Sequence, residues 1–576
     1  MRLATPSPNR RLTLVLLALA ALYLWRLGVA ALADPDEGRY AEIAREMLAR
    51  HDFLAPHLNG VPYFEKPPLV YWLLAGSLKL FGANEFAARL PGVLLMLIAI
   101  AAIGWMAERT RPGLGWLVAL ISGLNLYSFV LGRLVTLDAG LACFTTLGGV
   151  FLWLAADAEE NRQPHLRWTR LGYLSCALGV MVKGFIALLP GAGFGLFLIL
   201  TGRFKRALKF RPWEALLLVI AIAAPWAFAV ERHFPGFIHD AIWEQQVIRF
   251  VHGPKDHDPT NWKEGLALFV GITLLGLMPW SFYLLRGMRD AARGWRVGGL
   301  GLYALCQWLC VYLFVAASAT KLATYLLPAW PWAAVLAALA WIEMKNGWGE
   351  RIWLMVCALF VGAGLPYAIH RLQEKLLESP PAWLIPALAI LGLLAFITAA
   401  LPATPARRLL ANGLSALALI VFAAGIYPAV AAGRSQKAAA QLIRADAGLS
   451  AMTPILMCNA SPSLQFYLRE NFPLVRYGIY GELRVNFKYL KASPEMAQDR
   501  FVNRFNGPEP LLVIADWDCL RGLRGEYGET HDWPRPFIAQ PPILLNRRAD
   551  TAIILNHRPE SVRYMNLQEP PPAARK

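Results

Sequence analysis

The chain has 576 residues, of which 57% are hydrophobic and only 16% are charged. Soluble globular domains carry about 25% charged residues, so this composition excludes an ordinary soluble protein. Many apolar runs of about 20 residues predict instead a polytopic membrane protein. The formal net charge of +17 does not indicate nucleic-acid binding, because most basic residues lie in short loops between apolar runs, where they set membrane topology.

The first apolar segment, residues 12–33, follows a short basic stretch. It is longer than the core of a signal peptide, and no small-residue cleavage site follows it. We therefore expect a retained span with a cytoplasmic N-terminus. Further spans bring the predicted total to about 13 and place the C-terminus outside; they lie near 87–106, 114–132, 139–157, 170–184, 186–201, 214–230, 264–285, 298–317, 325–343, 352–370, 383–401 and 409–432.

The stretch after the first span gathers charges of both signs in a chain that otherwise avoids them. Asp36 can cap a helix over residues 36–50. Its apolar residues form one stripe, and Glu42 and Glu46 lie on the opposite side, which predicts an amphipathic helix in the membrane interface. The apolar segment 69–81 is too short to span comfortably and predicts a second interfacial helix.

The composition becomes polar after the last predicted span, with short apolar runs between Pro, Gly and Asn. This pattern predicts a small α/β domain over residues 433–576 with a disordered, proline-rich tail. Residues 1–432 are then a transmembrane domain whose outer loop, 34–86, carries the interfacial helices. Cys458 and Cys519 can pair if the C-terminal domain lies outside the cytoplasm.

Candidate functional residues first appear in the outer loop. Asp36 can be a simple cap, but a cap does not require the other acids and the arginine beside it, so we favour a functional carboxylate. Glu65-Lys66 is either an interfacial ion pair, or a lysine that holds a phosphate beside a glutamate that binds a metal. Farther along, His252 and His257 offer metal ligands or ordinary loop residues, and their spacing leaves both interpretations open.

Other candidates lie at the outer ends of later spans. Asp138 is either a cap or a site residue, and ionisable residues at the membrane favour a functional role. Lys183 interrupts an apolar run, so it either extends to the outer surface or contacts a phosphate. Lys321 and Tyr325 are four residues apart and share one face if a helix has begun by then.

Several motifs occur in the order in which a known family has them: Asp34-x-Asp-Glu-x-Arg-Tyr40, Tyr63-Phe-Glu-Lys-Pro67, Asp138, Lys183-Gly184 and Lys321-x3-Tyr325. On these motifs the chain resembles the bacterial lipid A 4-amino-4-deoxy-L-arabinose transferases over roughly residues 12–340. These enzymes belong to the wider group of polyprenyl-phosphate-dependent glycosyltransferases that includes protein O-mannosyltransferases. The first-loop motif alone indicates only the wider group.

The resemblance implies a helical membrane fold of the GT-C type. It also implies transfer of 4-amino-4-deoxy-L-arabinose from undecaprenyl phosphate to a lipid A phosphate at the periplasmic face of the bacterial inner membrane, a modification linked to polymyxin resistance. The roles it implies are catalytic for Asp36 and Asp138, binding of the donor phosphate for Lys66, Lys183, Arg249 and Tyr325, lining of the substrate cavity for Arg39, Tyr40, Tyr63 and Lys321, and metal binding for Glu65.

One departure from the family concerns the metal. Family members often read Glu-His-x-x-Arg-Phe where this chain has Gln245-Gln246-Val-Ile-Arg249-Phe250. A divalent metal such as Zn²⁺ on Glu65 therefore needs His252 or His257 as a further ligand. The sequence has no nucleotide-binding loop, so we expect no nucleotide cofactor.

Two other functions are compatible with part of these observations. A transferase that glycosylates a protein or glycan hydroxyl has the same first-loop motif. Transporters often show internal repeats and helices broken in mid-membrane, whereas this sequence shows no such repeat and its charges cluster at one face. We expect a sugar donor, lipid A and membrane lipids as partners, no nucleic acid, and a monomeric protein.

Overall fold

The structure, a computed structural model, describes residues 10–252, 262–295, 298–319, 321–344, 347–373, 376, 379–402, 404–458, 462–477, 495–496, 498–516, 543–544 and 551–555. The α-helices are Arg10–Leu24, Asp36–Arg50, Leu69–Phe81, Glu85–Thr110, Gly115–Gly123, Leu126–Arg133, Asp138–Glu160, Leu166–Lys183, Leu189–Leu200, Pro212–His233, Phe237–His239, Arg249–His252, Trp262–Gly276, Ser281–Arg293, Leu300–Ala317, Trp330–Glu343, Trp348–Leu359, Leu365–Leu372, Leu384–Ala400, Pro405–Ala432, Lys437–Ala445, Ala447–Ser450, Pro462–Leu468 and Gln498–Phe505. Segments of 3₁₀-helix (Gly184–Leu188, Phe204–Phe210, Ala323–Ala329) and π-helix (Asp240–Ile248, Phe360–Gly364) connect some of them.

Within these ranges, eight helical stretches are long and apolar enough to cross a membrane, or up to ten if each of two bent pairs counts as one span. One of the eight, Leu166–Leu200, folds back on itself, because Gly179 lies against Ala187, whereas residues eight apart in a straight helix are about 12 Å apart. Gly184, with a φ of 78°, makes this turn and agrees with the turn predicted at 183–186. The chain is thus a multi-pass membrane protein, and the total of about 13 spans stays a prediction.

Two of the predicted spans, 114–132 and 264–285, are bent pairs of helices rather than single helices, and each pair is either a broken span or a re-entrant loop. Asn125 starts a new helix at the first break by accepting a hydrogen bond from the backbone N–H of Ser128 at 2.9 Å. Pro279, which has no N–H to continue a helix, lies in the second break. The bends are 65° and 111°, between Gly115–Gly123 and Leu126–Arg133 and between Gly265–Gly276 and Ser281–Arg293.

The outer loop contains the two predicted helices, Asp36–Arg50 and Leu69–Phe81, joined through an antiparallel pair of short strands, His57–Leu58 and Val61–Pro62. Asp36 does not cap the first helix, because Pro35 occupies the N-cap position and no side chain accepts a cap hydrogen bond there. We call Asp36–Arg50 the first-loop helix.

The C-terminal part contains a mixed six-stranded sheet. Its central strand, Thr453–Cys458, lies parallel to Leu474–Tyr477 on one side and to Leu511–Asp516 on the other. Glu495–Met496 extends the first side in parallel, whereas Thr551–Leu555 and then Ile543–Leu544 continue the other side antiparallel. Helices alternate with these strands, as the sequence pattern predicted, while the division of the chain into two domains stays a prediction.

The cysteines in the apolar segments are free and mostly buried, in agreement with their prediction as small buried residues: Cys143, Cys176, Cys306, Cys310 and Cys357. The predicted pairing of Cys458 with Cys519 lies outside the described residues, because Cys519 and the side chain of Cys458 are not among them.

The C-terminal part packs directly on the first-loop helix. Glu42 and Glu46 on the polar side of this helix are only 0% and 1% exposed. The side-chain amide of Asn471 donates to Glu46 at 3.0 Å, and the helix Pro462–Leu468 contacts the first-loop helix. The helix is amphipathic as predicted, but protein rather than water covers its polar side.

Candidate active site

Asp36 is the accessible carboxylate of the outer loop. It lies in the first turn of the first-loop helix, and its Oδ1 accepts a hydrogen bond from Arg39 Nη2 at 2.5 Å. The Asp36 side chain is 54% exposed and that of Arg39 is 16% exposed. The Arg39 guanidinium also lies 5.5 Å from the centre of the Tyr40 ring. Arg39 therefore connects the carboxylate to an aromatic wall.

Asp138 and Lys183 form a second, more buried pair. Asp138 begins one helix and Lys183 ends another, and their Oδ1 and Nζ atoms are 2.5 Å apart. The Lys183 Nζ also lies 4.5 Å from the centre of the Tyr325 ring, within the range of a cation–π contact. Lys183 thus contacts an acid and an aromatic ring inside the protein, which argues against simple extension of the side chain to the surface.

Glu65 pairs with Arg249 from the second outer segment, with Oε2 and Nη1 3.2 Å apart. Arg249 also donates to Gln245 Oε1 at 3.1 Å. Burial on its own raises the pKa of Glu65, but the charges of Arg249, Lys66 and Arg39 outweigh burial and lower it. Glu65 is therefore a carboxylate held in its ionised form by three cations around it.

A cavity of about 320 Å³ lies between the outer loop at Lys66, the end of the helix Leu166–Lys183, the segment around Arg249 and the segment Ala323–Ala329. All four residues assigned to the donor phosphate by resemblance, Lys66, Lys183, Arg249 and Tyr325, line it. We call it the phosphate cavity. Three cationic side chains converge on it, and a cleft lined by one sign of charge attracts an ion of the opposite sign. The structure brings these residues together, while their roles stay predictions.

Lys321 lies at the edge of the phosphate cavity. Its Nζ donates to the carbonyl of Ser318 at 2.9 Å, and Ser318 lines the cavity. The helical segment begins only at Ala323, so the condition under which Lys321 and Tyr325 would share a helix face is not met. Leu322, which lies between them, has an extended backbone, so Lys321 and Tyr325 do not follow one helical turn.

Of the predicted cavity residues, Tyr63 is buried and Tyr40 is half-buried. Burial raises the pKa of Tyr40, and the charge of Arg39 partly opposes this rise. The negative charges of three carboxylates, those of Asp36, Glu65 and Asp138, add to the rise in the pKa of Tyr40. Tyr40 thus lies close enough to these three carboxylates for their charges to affect it.

The described residues contain no site that matches the predicted metal. No group of three His, Cys, Asp or Glu side chains in those ranges can hold a metal ion. Glu65 uses Oε2 for Arg249, although its buried Oε1 has no hydrogen-bond partner. His252 is exposed at the end of a short helix, and His257 lies outside the described residues. Metal binding by Glu65 with either histidine stays a prediction.

Two side chains near the site were not predicted. Gln246 lines the phosphate cavity, and its Oε1 accepts a hydrogen bond from the backbone N–H of Phe185 at 3.2 Å. The departure from the family at this position was visible in the sequence, but its contact was not. Tyr71 lies 5.9 Å from Tyr40, measured between ring centres; one aromatic residue in an apolar helix gives no signal of this kind.

Comparison with known proteins gives three results. A family model described as dolichyl-phosphate-mannose-protein mannosyltransferase matches residues 10–239. The undecaprenyl phosphate-alpha-4-amino-4-deoxy-L-arabinose arabinosyl transferase of Erwinia tasmaniensis is 33% identical over 322 residues, 55% of this chain and 57% of that protein. The enzyme of the same name from Yersinia enterocolitica is 34% identical over 367 residues, 60% of this chain and 64% of that protein. The match therefore spans less than two thirds of these relatives.

Among solved structures, ArnT from Cupriavidus metallidurans bound to undecaprenyl phosphate superposes with a TM-score of 0.77 and 21% identity, covering 96% of this chain and 99% of that chain. The same protein in the apo state gives a TM-score of 0.75. The similarity extends through the C-terminal part, beyond the region where the sequence motifs lie. The predicted resemblance to the aminoarabinose transferases is thus confirmed, and the chain has the ArnT-like GT-C fold.

Proposed function

We propose that the chain is a membrane glycosyltransferase that moves 4-amino-4-deoxy-L-arabinose from undecaprenyl phosphate to a phosphate of lipid A. The observation that carries this proposal is the phosphate cavity, in which Lys66, Lys183, Arg249 and Tyr325 converge. Two of these four come from different outer segments and two from the ends of membrane helices. The names of the sequence relatives support the choice of sugar and carrier lipid.

In the proposed reaction, the bond between the anomeric carbon of the sugar and the donor phosphate oxygen breaks. Its electron pair stays on that oxygen, so the leaving group is an anion. Lys66, Lys183 and Arg249 surround the place where this charge develops, and fixed positive groups there lower the barrier. Asp138 holds Lys183 at the cavity through the 2.5 Å pair.

The sugar becomes positively charged as the donor bond breaks. A carboxylate close to the ring stabilises such an oxocarbenium-like transition state, and Asp36 is the accessible acid of the group. The acceptor phosphate is already an anion and attacks the anomeric carbon without giving up a proton. Asp36 then stabilises and orients, and no general base is needed.

Asymmetry of charge supports the proposed orientation of the protein. The acids, bases and aromatic residues of the site all lie at one end of the helices, whereas basic clusters such as Arg203, Arg206 and Lys209 lie in loops between the other helix ends. Short loops rich in Lys and Arg face the cytoplasm. The proposal therefore places the site and the C-terminal part in the periplasm, with the chain in the bacterial inner membrane.

A second candidate is transfer to a hydroxyl group of a protein, which the description of the matching family model favours. A hydroxyl acceptor must lose its proton as it attacks, so this reaction needs a general base. Asp36 is the accessible carboxylate for that step. The two candidates thus differ in the acceptor, a phosphate or a hydroxyl, and in the role of Asp36, which stabilises charge in the first reaction and acts as a general base in the second.

The test uses the purified full chain in lipid nanodiscs with the aminoarabinose donor. Lipid A and chemically dephosphorylated lipid A are offered as acceptors, and products are measured by mass spectrometry. We expect an added aminopentose on lipid A alone, and loss of this product with Arg249→Gln. Arg286→Gln is the matched control, because the exposed Arg286 side chain pairs with Asp290 and does not line the phosphate cavity. Equal transfer to both acceptors would refute the phosphate acceptor.

A further inference from the structure

Two neighbouring glutamines, Gln245 and Gln246, both line the phosphate cavity. They lie in the π-helix Asp240–Ile248, and this rare form of helix often occurs at functional sites. Neither glutamine has a role in the reaction proposed above. The oxygen and nitrogen atoms of their side-chain amides have different surroundings, and this difference indicates what the two residues do.

The amide oxygens are occupied within the protein. Gln245 Oε1 accepts a hydrogen bond from Arg249 Nη1 at 3.1 Å, and Gln246 Oε1 accepts one from the backbone N–H of Phe185 at 3.2 Å. The Gln246 amide also packs tightly on the turn at Gly184, because a Cβ added to that glycine would clash with it. Each acceptor contact orients its amide and leaves the NH₂ group for another partner.

The amide nitrogens have no partner of this kind. Among the residues that the structure describes, neither Gln245 Nε2 nor Gln246 Nε2 donates a hydrogen bond. Each amide NH₂ group carries two N–H donors. Unused donors on residues that line a cavity point to a ligand that accepts hydrogen bonds.

The charges around the cavity show what neutral donors add there. Arg249 is paired with Glu65, and Lys183 is paired with Asp138, so two of the three cations already share their charge with a carboxylate. A phosphate group offers several strong acceptor oxygens. An amide can donate to one of them without a carboxylate partner of its own, and no acid is among the described residues that line the cavity.

We propose that Gln245 and Gln246 bind the donor phosphate through their Nε2 groups, beside the cations. This inference rests on the proposed function, which identifies the ligand as undecaprenyl phosphate. The oxygen contacts to Arg249 and Phe185 hold the two amides before the ligand arrives, and donors that are ordered in advance lose less entropy on binding. The glutamines therefore contribute to affinity directly, in addition to their contacts with the protein.

The first experiment titrates the full chain in nanodiscs with undecaprenyl phosphate and with undecaprenol, which lacks the phosphate. Gln245→Leu and Gln246→Leu remove the amides at similar side-chain size. We expect each variant to raise the Kd of undecaprenyl phosphate about three- to tenfold, the loss expected for a neutral hydrogen bond. The Kd of undecaprenol stays unchanged in both variants, because the missing donors contact only the phosphate.

Gln307→Leu is the matched control. Gln307 also connects two helices, since its Nε2 donates to the carbonyl of Pro190 at 3.0 Å, but it does not line the phosphate cavity. We expect this variant to lower the melting temperature and to leave both dissociation constants unchanged. The control thus separates a loss of stability from a loss of phosphate binding.

Gln245→Glu tests the nitrogen separately from the oxygen. It retains an oxygen that accepts from Arg249 and replaces the N–H donors by an anionic oxygen. We expect this variant to unfold at the same temperature as the parent chain or higher, and to bind undecaprenyl phosphate more weakly than Gln245→Leu. Parental affinity in this stable variant would refute the contact between Gln245 and the phosphate.

Double-mutant cycles separate direct binding from positioning of the cations. Gln245→Leu is added to Arg249→Met, and Gln246→Leu is added to the pair Asp138→Asn and Lys183→Met, which removes both charges of that ion pair together. Direct contact predicts a further loss of affinity for undecaprenyl phosphate in each background. If neither glutamine substitution has an effect there, the glutamines act only through the cations and the inference is refuted.

The same titrations distinguish this inference from the proposed function. Equal losses for undecaprenyl phosphate and undecaprenol, or unchanged affinity in both leucine variants, overturn the inference even if the parent chain transfers the sugar. A parent chain that binds undecaprenyl phosphate with the expected dependence on both glutamines, but transfers no aminoarabinose, refutes the proposed function and leaves the phosphate contacts in place.

Discussion

Two aspartates at the start of the outer loop, only two residues apart, have different surroundings that predict opposite effects of substitution. Asp36 is half exposed and pairs with Arg39. Asp34 is bonded through both carboxylate oxygens to the buried Ser463, to its backbone N–H at 2.9 Å and to its hydroxyl. We predict that Asp36→Asn abolishes most activity and leaves the fold intact, whereas Asp34→Ala destabilises the fold.

The magnitudes follow from these contacts. An exposed ion pair contributes about 0–1 kcal/mol, so Asp36→Asn changes the free energy of unfolding by no more than that. Loss of a group that stabilises transition-state charge typically costs about 100- to 1,000-fold in rate, which we expect for transfer by Asp36→Asn. Asp34→Ala leaves two buried donors of Ser463 unpaired, each at about 1–3 kcal/mol.

Both quantities are measured on the same preparations. Thermal unfolding in detergent gives the change in stability, and mass spectrometry of initial rates gives the transfer activity per folded molecule. Asp34→Asn is a useful intermediate variant, because an amide oxygen still accepts one of the two hydrogen bonds from Ser463. The reasoning is refuted if Asp36→Asn retains full activity, or if it unfolds at as low a temperature as Asp34→Ala.

Further predictions concern the phosphate cavity and the buried acids. Lys66→Met and Arg249→Met should each weaken binding of undecaprenyl phosphate about tenfold in a titration, because each removes one charge-assisted contact; unchanged affinity would show that the phosphate binds elsewhere. Asp138→Asn should cost up to about 3–5 kcal/mol of stability by leaving the largely buried Lys183 without its carboxylate partner, and adding Lys183→Met should recover much of this loss in thermal unfolding. Burial raises the pKa of Glu42 from 4.5 to about 7, so between these values the folded chain holds a proton that the unfolded chain has released. Stability should therefore fall as the pH rises through this range, and Glu42→Gln should flatten the pH profile of the melting temperature relative to the parent chain.

The elements that depend on local pattern were predictable from the sequence. The helices at 36–50 and 69–81 follow from apolar periodicity and length, and both are present. Convergence of the side chains in the phosphate cavity was predictable only through the resemblance, since Lys66, Lys183 and Arg249 are far apart in the chain. No periodicity relates residues on different helices. A motif order shared with a known family, in contrast, implies that the residues also share the arrangement that they have in that family.

The contacts that determine burial were not predictable. Alternation of polar and apolar residues shows that Glu42 and Glu46 lie on the polar side of a helix, but it does not show what covers that side. The partner is Asn471 and its neighbours, more than 400 residues later in the chain. The bends at Asn125 and Pro279 were missed for a related reason, because average hydropathy over a window does not register one cap or one missing N–H.

The C-terminal part is therefore part of the scaffold of the candidate site. It contacts the outer loop near its beginning, where Ser463 binds Asp34, and near its end, where Lys437 Nζ lies 2.5 Å from Glu85 Oε1. The first-loop helix runs between these contacts in the chain, and the Asp36 side chain in its first turn is 54% exposed. Since a shift of about 1 Å in a reacting group can cost 100-fold in rate, the position of Asp36 depends on contacts made at the opposite end of the chain.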